Sequence, residues 1–212
     1  MNIQTFTFNP FQENTYVLYD NTKECIIIDP GCYTREEEAL LANFINKNQL
    51  TPVKLINTHC HIDHILGNKF VCKKWNINLF THKEELHLLQ ASEEISKMYG
   101  FEDYNLSPMP KEYLNVEQKI KFGEISLEVL FCPGHSPGHI CLFCKKNNIL
   151  IAGDVIFKGS IGRTDLPGGD YKVLLESINK EIIHLPNETQ IYSGHGPSTV
   201  LSEEKKHNPF IN

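Results

Sequence analysis

The heptapeptide Thr58-His59-Cys60-His61-Ile62-Asp63-His64 brings three imidazoles and a carboxylate into a few consecutive positions. His59 and His61 are two apart, so in an extended loop they point to the same side. Asp63 and His64 are adjacent and can turn toward a different point at the mouth of a following helix. One motif can therefore supply two metal ions. Zinc accepts imidazole nitrogen and carboxylate oxygen, and a catalytic site keeps one position open for water. The pattern H-x-H-x-D-H arises by chance roughly once in a thousand sequences of this composition. A histidine-rich turn or a non-catalytic metal staple are the competing readings, and three further residues count against both. His135 stands in Pro133-Gly134-His135-Ser136-Pro137-Gly138-His139, Asp154 in Ala152-Gly153-Asp154, and His195 in Ser193-Gly194-His195-Gly196-Pro197. Each cluster follows an apolar strand-like run beside a glycine or proline, and sites in sheet proteins collect at the carboxyl ends of strands.

The elements that must hold these residues follow from periodicity. Strands are expected at 15–20 and 24–29, then a helix over 35–47 that opens on a capping box of Thr34 and Glu37. Leu40, Leu41, Phe44 and Ile45 form its apolar stripe. A strand at 53–57 leads into the histidine motif, followed by a helix over 64–75, a strand at 77–80 and a helical segment at 83–90. Residues 91–113 carry Pro108, Pro110 and loosely spaced aromatic and Met side chains. They read either as a mobile flap over a pocket or as an excursion packed on the surface. Strands at 125–131, 140–144 and 149–152 come next. A helix over 171–183 is capped by Asp170, and a short strand lies at 190–192. This order describes an α/β protein with mixed β-sheets.

The 212 residues suit a single domain, 1–212. At 41% hydrophobic and 22% charged residues, the chain can bury a sizeable core, which excludes disorder as its main state. A formal charge of −6 argues against a polyanion-binding surface, so no nucleic-acid partner is expected. No apolar run approaches the roughly 18 residues of a membrane span, and the first residues lack the pattern of an export signal. A cytoplasmic address without membrane association is expected. Seven cysteines agree with a reducing compartment. Cys141 and Cys144 form a C-x-x-C pair inside the apolar run 140–144, which reads as buried thiols in a strand.

The ordered set H-x-H-x-D-H, P-G-H, G-D and G-H-G-P resembles the metallo-β-lactamase superfamily over nearly the whole chain. Within it, Asn14-Thr15-Tyr16, Asp29-Pro30-Gly31 and the run from Gly159 to Gly169 are most similar to the glyoxalase II (hydroxyacylglutathione hydrolase) branch, in its short bacterial form. The resemblance implies a four-layer αββα sandwich with two zinc ions at one edge. One zinc would be held by His59, His61 and His135, the other by Asp63, His64 and His195, with Asp154 bridging. Iron or manganese suits the same donors. The implied nucleophile is a metal-bridging hydroxide, with Asp63 managing proton and charge, and the implied substrate is a small-molecule thioester such as S-lactoylglutathione. The separate C-terminal helical domain that helps full-length relatives hold glutathione is not expected in this chain. Arg163 matches the region of a basic glutathione contact and equally suits a turn cap. Asp29 reads as a partner behind a ligand histidine or as a turn-forming residue before Pro30; His139 lines the site or is plainly buried. The alternatives are a persulfide dioxygenase with one iron on His59, His135 and Asp154, and a non-enzymatic metal-binding or interaction module with a vestigial site. A β-lactamase is disfavoured by the missing export signal and by the bridging aspartate, and an RNA-processing nuclease by the acidic charge.

Overall fold

The computed structural model describes residues 1–116 and 118–211; Glu117 and Asn212, the last residue of the expected 1–212 domain, lie outside the described residues. The chain is an α/β protein with mixed sheets. It divides into two compact units: Met1–Tyr113 with Lys121–Ile125, and Leu114–Ile120 with Ser126–Asn212.

The first unit is built on strands β1 (Asn2–Phe8), β2 (Glu13–Tyr19) and β3 (Glu24–Ile28), helix α1 (Arg35–Lys47) and strand β4 (Thr51–Ile56). Then follow α2 (Ile62–Ile65), α3 (Asn68–Trp75), β5 (Leu79–His82), α4 (Leu86–Met98) and β6 (Glu112–Leu114). Its sheet runs β1-β2-β3-β4-β5-β6. The first three strands are antiparallel, whereas β3, β4 and β5 run parallel, with α1 and then α2 and α3 as the crossovers. Parallel neighbours end side by side, so Asp29, just past β3, lies next to the loop that leaves β4; its N–H donates to the Ile56 carbonyl at 3.0 Å. Val17, Ile27, Leu41, Ile45, Leu55, Ile65, Val71, Leu79 and Leu89 share one core.

Several elements differ from expectation for local reasons. The helix expected over 64–75 is broken into α2 and α3. The Gly67 N–H donates to the Pro30 carbonyl at 2.7 Å, and a Cβ at Gly67 would stand 2.4 Å from Cys32 Sγ. Helix α4 continues to Met98, well past the expected end at 90. Its later buried positions are Ser92 and Ser96, whose hydroxyls bond to the Leu89 and Glu93 carbonyls of the same helix. Polar residues thus sit where an apolar period would have marked the helix. Leu40, placed in the α1 stripe, is 58% exposed; the buried face is Leu41, Ala42 and Ile45. Strand β1 escaped notice because most of its side chains are not buried, and it is held by a full antiparallel ladder with β2. Residues 99–111 are irregular, with Phe101 and Ser107 buried and Leu106 and Met109 exposed.

The second unit is built on β7 (Lys119–Phe122) and β8 (Ile125–Phe131), of which the stretch Lys121–Ile125 groups with the first unit, and on β9 (Ile140–Cys144), β10 (Ile149–Gly153), β11 (Ile156–Phe157), β12 (Ser160–Ile161), α5 (Tyr171–Ser177), β13 (Gln190–Ser193), β14 (Thr199–Val200) and α6 (Leu201–His207). Its main sheet runs β14-β13-β10-β9-β8-β7, and β10 and β13 are parallel. Asp170 caps α5 by accepting from the Lys172 and Val173 N–H groups. After Ser177 the helix widens by one turn, so the expected single helix over 171–183 changes pitch midway. The polar segment after His195 also folds: Leu201 and Glu204 of α6 are buried, and Glu204 Oε2 accepts from the Gly159 N–H at 2.8 Å. Cys141 and Cys144 are buried in β9, and their thiols donate separately to the Ala152 carbonyl and Asn147 Oδ1. No helix of the described residues is long and apolar enough to cross a membrane.

Candidate metal centre

In the first unit the loop after β4 and the short helix α2 present His59, His61, Asp63 and His64 together. The His59 ring lies 4.8 Å from that of His61 and 4.1 Å from that of His64, centroid to centroid. His64 Nε2 is 3.6 Å from Asp63 Oδ2. Asp29 fixes this cluster from behind. Its φ of +47° puts a non-glycine residue in the left-handed region, a strain tolerated where the surroundings demand it. From there its carboxylate accepts from the Thr58 N–H at 2.7 Å and the Thr58 hydroxyl at 2.6 Å, and lies 3.3 Å from His64 Nδ1. Holding His64 at Nδ1 turns Nε2 toward the donor side, and a carboxylate behind an imidazole raises its basicity as a ligand. Asp29, His59 and His64 offer ligand atoms within 4.8 Å of one another.

Two further buried carboxylates support this loop, and sequence reasoning missed both. Glu85 Oε2 accepts from the Cys60 N–H at 2.8 Å, which pins the backbone between His59 and His61. Burial, reinforced by Glu85, pushes the Cys60 thiol well above its ordinary pKa, so Cys60 is a neutral packing residue. Glu13 accepts from the Thr15 hydroxyl and lies 3.9 Å from His64 Nδ1. Burial raises its pKa and the neighbouring His64 opposes the shift. The only sequence signal for Glu13 was its place beside Asn14-Thr15-Tyr16.

In the second unit three separate strand ends deliver His135, Asp154 and His195. Asp154 Oδ2 lies 3.5 Å from His135 Nε2 and 3.5 Å from His195 Nε2. His135 Nδ1 is 2.7 Å from the Arg163 carbonyl, which can only accept, so Nδ1 carries the proton. In its neutral form the His135 ring then turns a lone pair on Nε2 toward a carboxylate oxygen. Two lone-pair atoms facing each other call for a cation, and a pair of imidazole nitrogens around one carboxylate oxygen suits a metal ion. Glycine makes these approaches possible: a Cβ at Gly162 would fall 1.9 Å from the Asp154 carbonyl oxygen, and Gly134, at φ +126°, lies against the backbone of Leu174. Sequence reasoning missed both structural glycines, although each stood inside a quoted motif. His139 Nε2 accepts from the Asp154 N–H at 3.0 Å, so this residue holds the aspartate's backbone. Phe157 packs edge-on to the His195 ring.

Arg163 is exposed and makes a two-pronged ion pair with Asp165 at 2.7 Å. That hydrogen bonding draws the Asp165 carboxyl down to about 2.

Mixed sheets with imidazole–carboxylate sets at strand ends are the build of a metal-binding α/β protein. The family model for the metallo-β-lactamase superfamily matches residues 8–195, and the chain belongs to that superfamily. Among curated relatives, it is 37% identical over 204 residues to a probable metallo-hydrolase, YqgX, of Bacillus subtilis (strain 168), covering 96% of this chain and 94% of that protein. It is 34% identical over 218 residues to hydroxyacylglutathione hydrolase GloC of Haemophilus influenzae, covering 100% of this chain and 99% of the relative. Among solved structures, BLEG-1 B3 metallo-β-lactamase superposes with a TM-score of 0.90 at 37% identity, over all of both chains. TTHA1623 in a di-iron-bound form gives 0.87 at 34% identity, over 98% of this chain and 99% of the other.

Proposed function

We propose that this protein is a metal-dependent thioester hydrolase acting on a hydroxyacyl thioester such as S-lactoylglutathione. The observation that carries the reading is the pair of oriented imidazole–carboxylate sets in a chain that matches GloC from end to end. On this reading residues 1–212 work as one catalytic unit on a small-molecule substrate in the cytoplasm. His59, His61 and His135 would hold one ion and Asp63, His64 and His195 the other, with Asp154 available to both. Zinc suits these donors, and iron or manganese is an equally permitted occupant, as the di-iron form of TTHA1623 illustrates.

Bound ions of this kind supply a nucleophile at neutral pH by lowering the pKa of water and polarise the carbonyl under attack. The protein's own part is orientation. Asp29 holds His64 by Nδ1, the Arg163 carbonyl holds His135 by Nδ1, and His139 fixes the Asp154 backbone. On this reading Asp63, whose side chain remains partly exposed at 14%, takes up and returns a proton during turnover. Arg163 is the candidate contact for the glutathione carboxylates, which must compete with Asp165 for its guanidinium. A thiolate is a good leaving group, so no separate acid is needed to expel it.

A second reading, β-lactam hydrolysis, is favoured by the full-length likeness to BLEG-1. One experiment separates the readings: elemental analysis of the purified protein, with release of product from S-lactoylglutathione, a cephalosporin and a phosphodiester, each with and without chelator. About two metal ions per chain with chelator-sensitive thiol release are expected. Preferential lactam opening would replace the thioester assignment. One iron per chain with oxygen uptake on glutathione persulfide would make the protein a dioxygenase.

A further inference from the structure

We propose that Asn68 and Ser107 are positioning residues for His64, joined to it by a buried run of hydrogen bonds that reaches from the irregular 99–111 segment to the metal-donor loop. The inference rests on the metal-binding reading above and concerns how one half of the donor set is held.

The direction of every bond in the run is forced from the His64 end. The His64 carbonyl can only accept, so Asn57 must present Nδ2 to it, at 3.0 Å. The same nitrogen lies 3.5 Å from Asp29 Oδ1, on the carboxylate that backs His64 Nδ1. Asn57 Oδ1 therefore faces the other way and needs a donor, which Asn68 Nδ2 provides at 2.8 Å. The second hydrogen of that Asn68 amide goes to Ser107 Oγ, also at 2.8 Å. Asn57, Asn68 and Ser107 are all buried. Ser107 is in turn fixed from outside: its N–H donates to the Tyr104 hydroxyl at 3.0 Å, and that hydroxyl is 3.2 Å from Ser92 Oγ on α4.

Asn68 Oδ1 is buried and lacks a hydrogen-bond partner among the described residues. A buried amide left half satisfied lowers stability relative to an apolar side chain of similar size. Packing alone would select against asparagine here, whereas placing the Asn57 amide requires a donor at this position. Ser107 plays the matching role as acceptor and ties the run to a segment whose neighbours, Leu106 and Met109, are exposed. Metal retention at His64 is then sensitive to where residues 99–111 lie.

The test measures zinc dissociation constants without substrate, by competition with a chromophoric chelator, alongside melting of the metal-free protein. Ser107→Ala is expected to weaken the more loosely held zinc by about 3- to 10-fold and Asn68→Ala by about 10- to 100-fold, the range seen when support behind a ligand is lost. Ser107→Thr, which keeps the hydroxyl, should stay within about twofold of wild type. Ser96→Ala, whose hydroxyl bonds only within α4, should leave zinc affinity unchanged. Variants that melt earlier yet bind zinc as wild type does would overturn the proposal and leave the metal reading intact. Wild-type protein that binds no zinc would overturn both, while zinc binding without thiol release would discard only the thioester assignment. Should Asn68→Ala not fold, the Ser107→Ala and Ser107→Thr pair decides the matter alone.

Discussion

The two donor sets are built on opposite principles. His59, His61, Asp63 and His64 come from one short stretch and are braced by carboxyl groups: Asp29 behind His64, Glu85 on the Cys60 backbone, and Glu13 beneath, which burial pushes toward its neutral form. His135, Asp154 and His195 come from three strand ends far apart in sequence and are braced by neutral groups, namely the Arg163 carbonyl, His139 and tight glycine contacts. The first arrangement makes strong ligands from a local motif, since a carboxylate behind an imidazole increases its electron donation. The second relies on strand order for geometry and leaves Asp154 as its only charge.

That contrast can be broken from either side. The largest effect is expected from Asp154→Asn, which removes the only carboxylate of the second set. Thioester turnover should fall by roughly a hundredfold or more, with lower metal content, read by thiol release and elemental analysis. Asp29→Asn should act mainly on affinity, weakening zinc binding by about 10- to 100-fold in chelator competition while turnover at saturating zinc changes less. A larger loss of turnover in Asp29→Asn than in Asp154→Asn would invert the comparison. The smallest effect concerns alkaline stability of the first unit. Burial raises the Cys25 thiol to about 12 and the half-buried Cys72 to about 11, against an ordinary value of 9.0. Below pH 9 these thiols are neutral in both folded and unfolded chains and their contribution is complete. As pH rises from there toward 12, only the unfolded chain ionises, so stability drains away. Urea midpoints at pH 8 and pH 10.5 should show the fall, and Cys25→Ala should reduce it.

What could be read in advance divides along the same line. The H-x-H-x-D-H motif is visible because its parts are neighbours, and Asp154 and His195 show as polar residues stranded among glycines after apolar runs. The supporting residues were invisible for the reason that makes them effective. Glu85 reaches Cys60 across 25 positions and Ser107 reaches Asn68 across 39, and neither carries a local pattern. His139 and Asp29 each admitted two readings because a buried polar residue and a turn former look alike until their partners are known. Helix α4 ran past its expected end because Ser92 and Ser96 satisfy themselves on their own backbone, which erases the apolar period.

Strands β10 and β13 are adjacent and parallel, and just beyond them the Gly194 N–H donates to the Gly153 carbonyl at 2.7 Å. Asp154 and His195 are thus set one rung apart on a ladder whose pitch no side chain controls. Side chains on the neighbouring turns, such as that of Arg163, can be exchanged to admit other substrates without resetting that ruler, because Arg163 holds His135 through its backbone carbonyl. A laboratory selection for altered substrate preference should accordingly collect its changes in those turns and leave the rungs untouched.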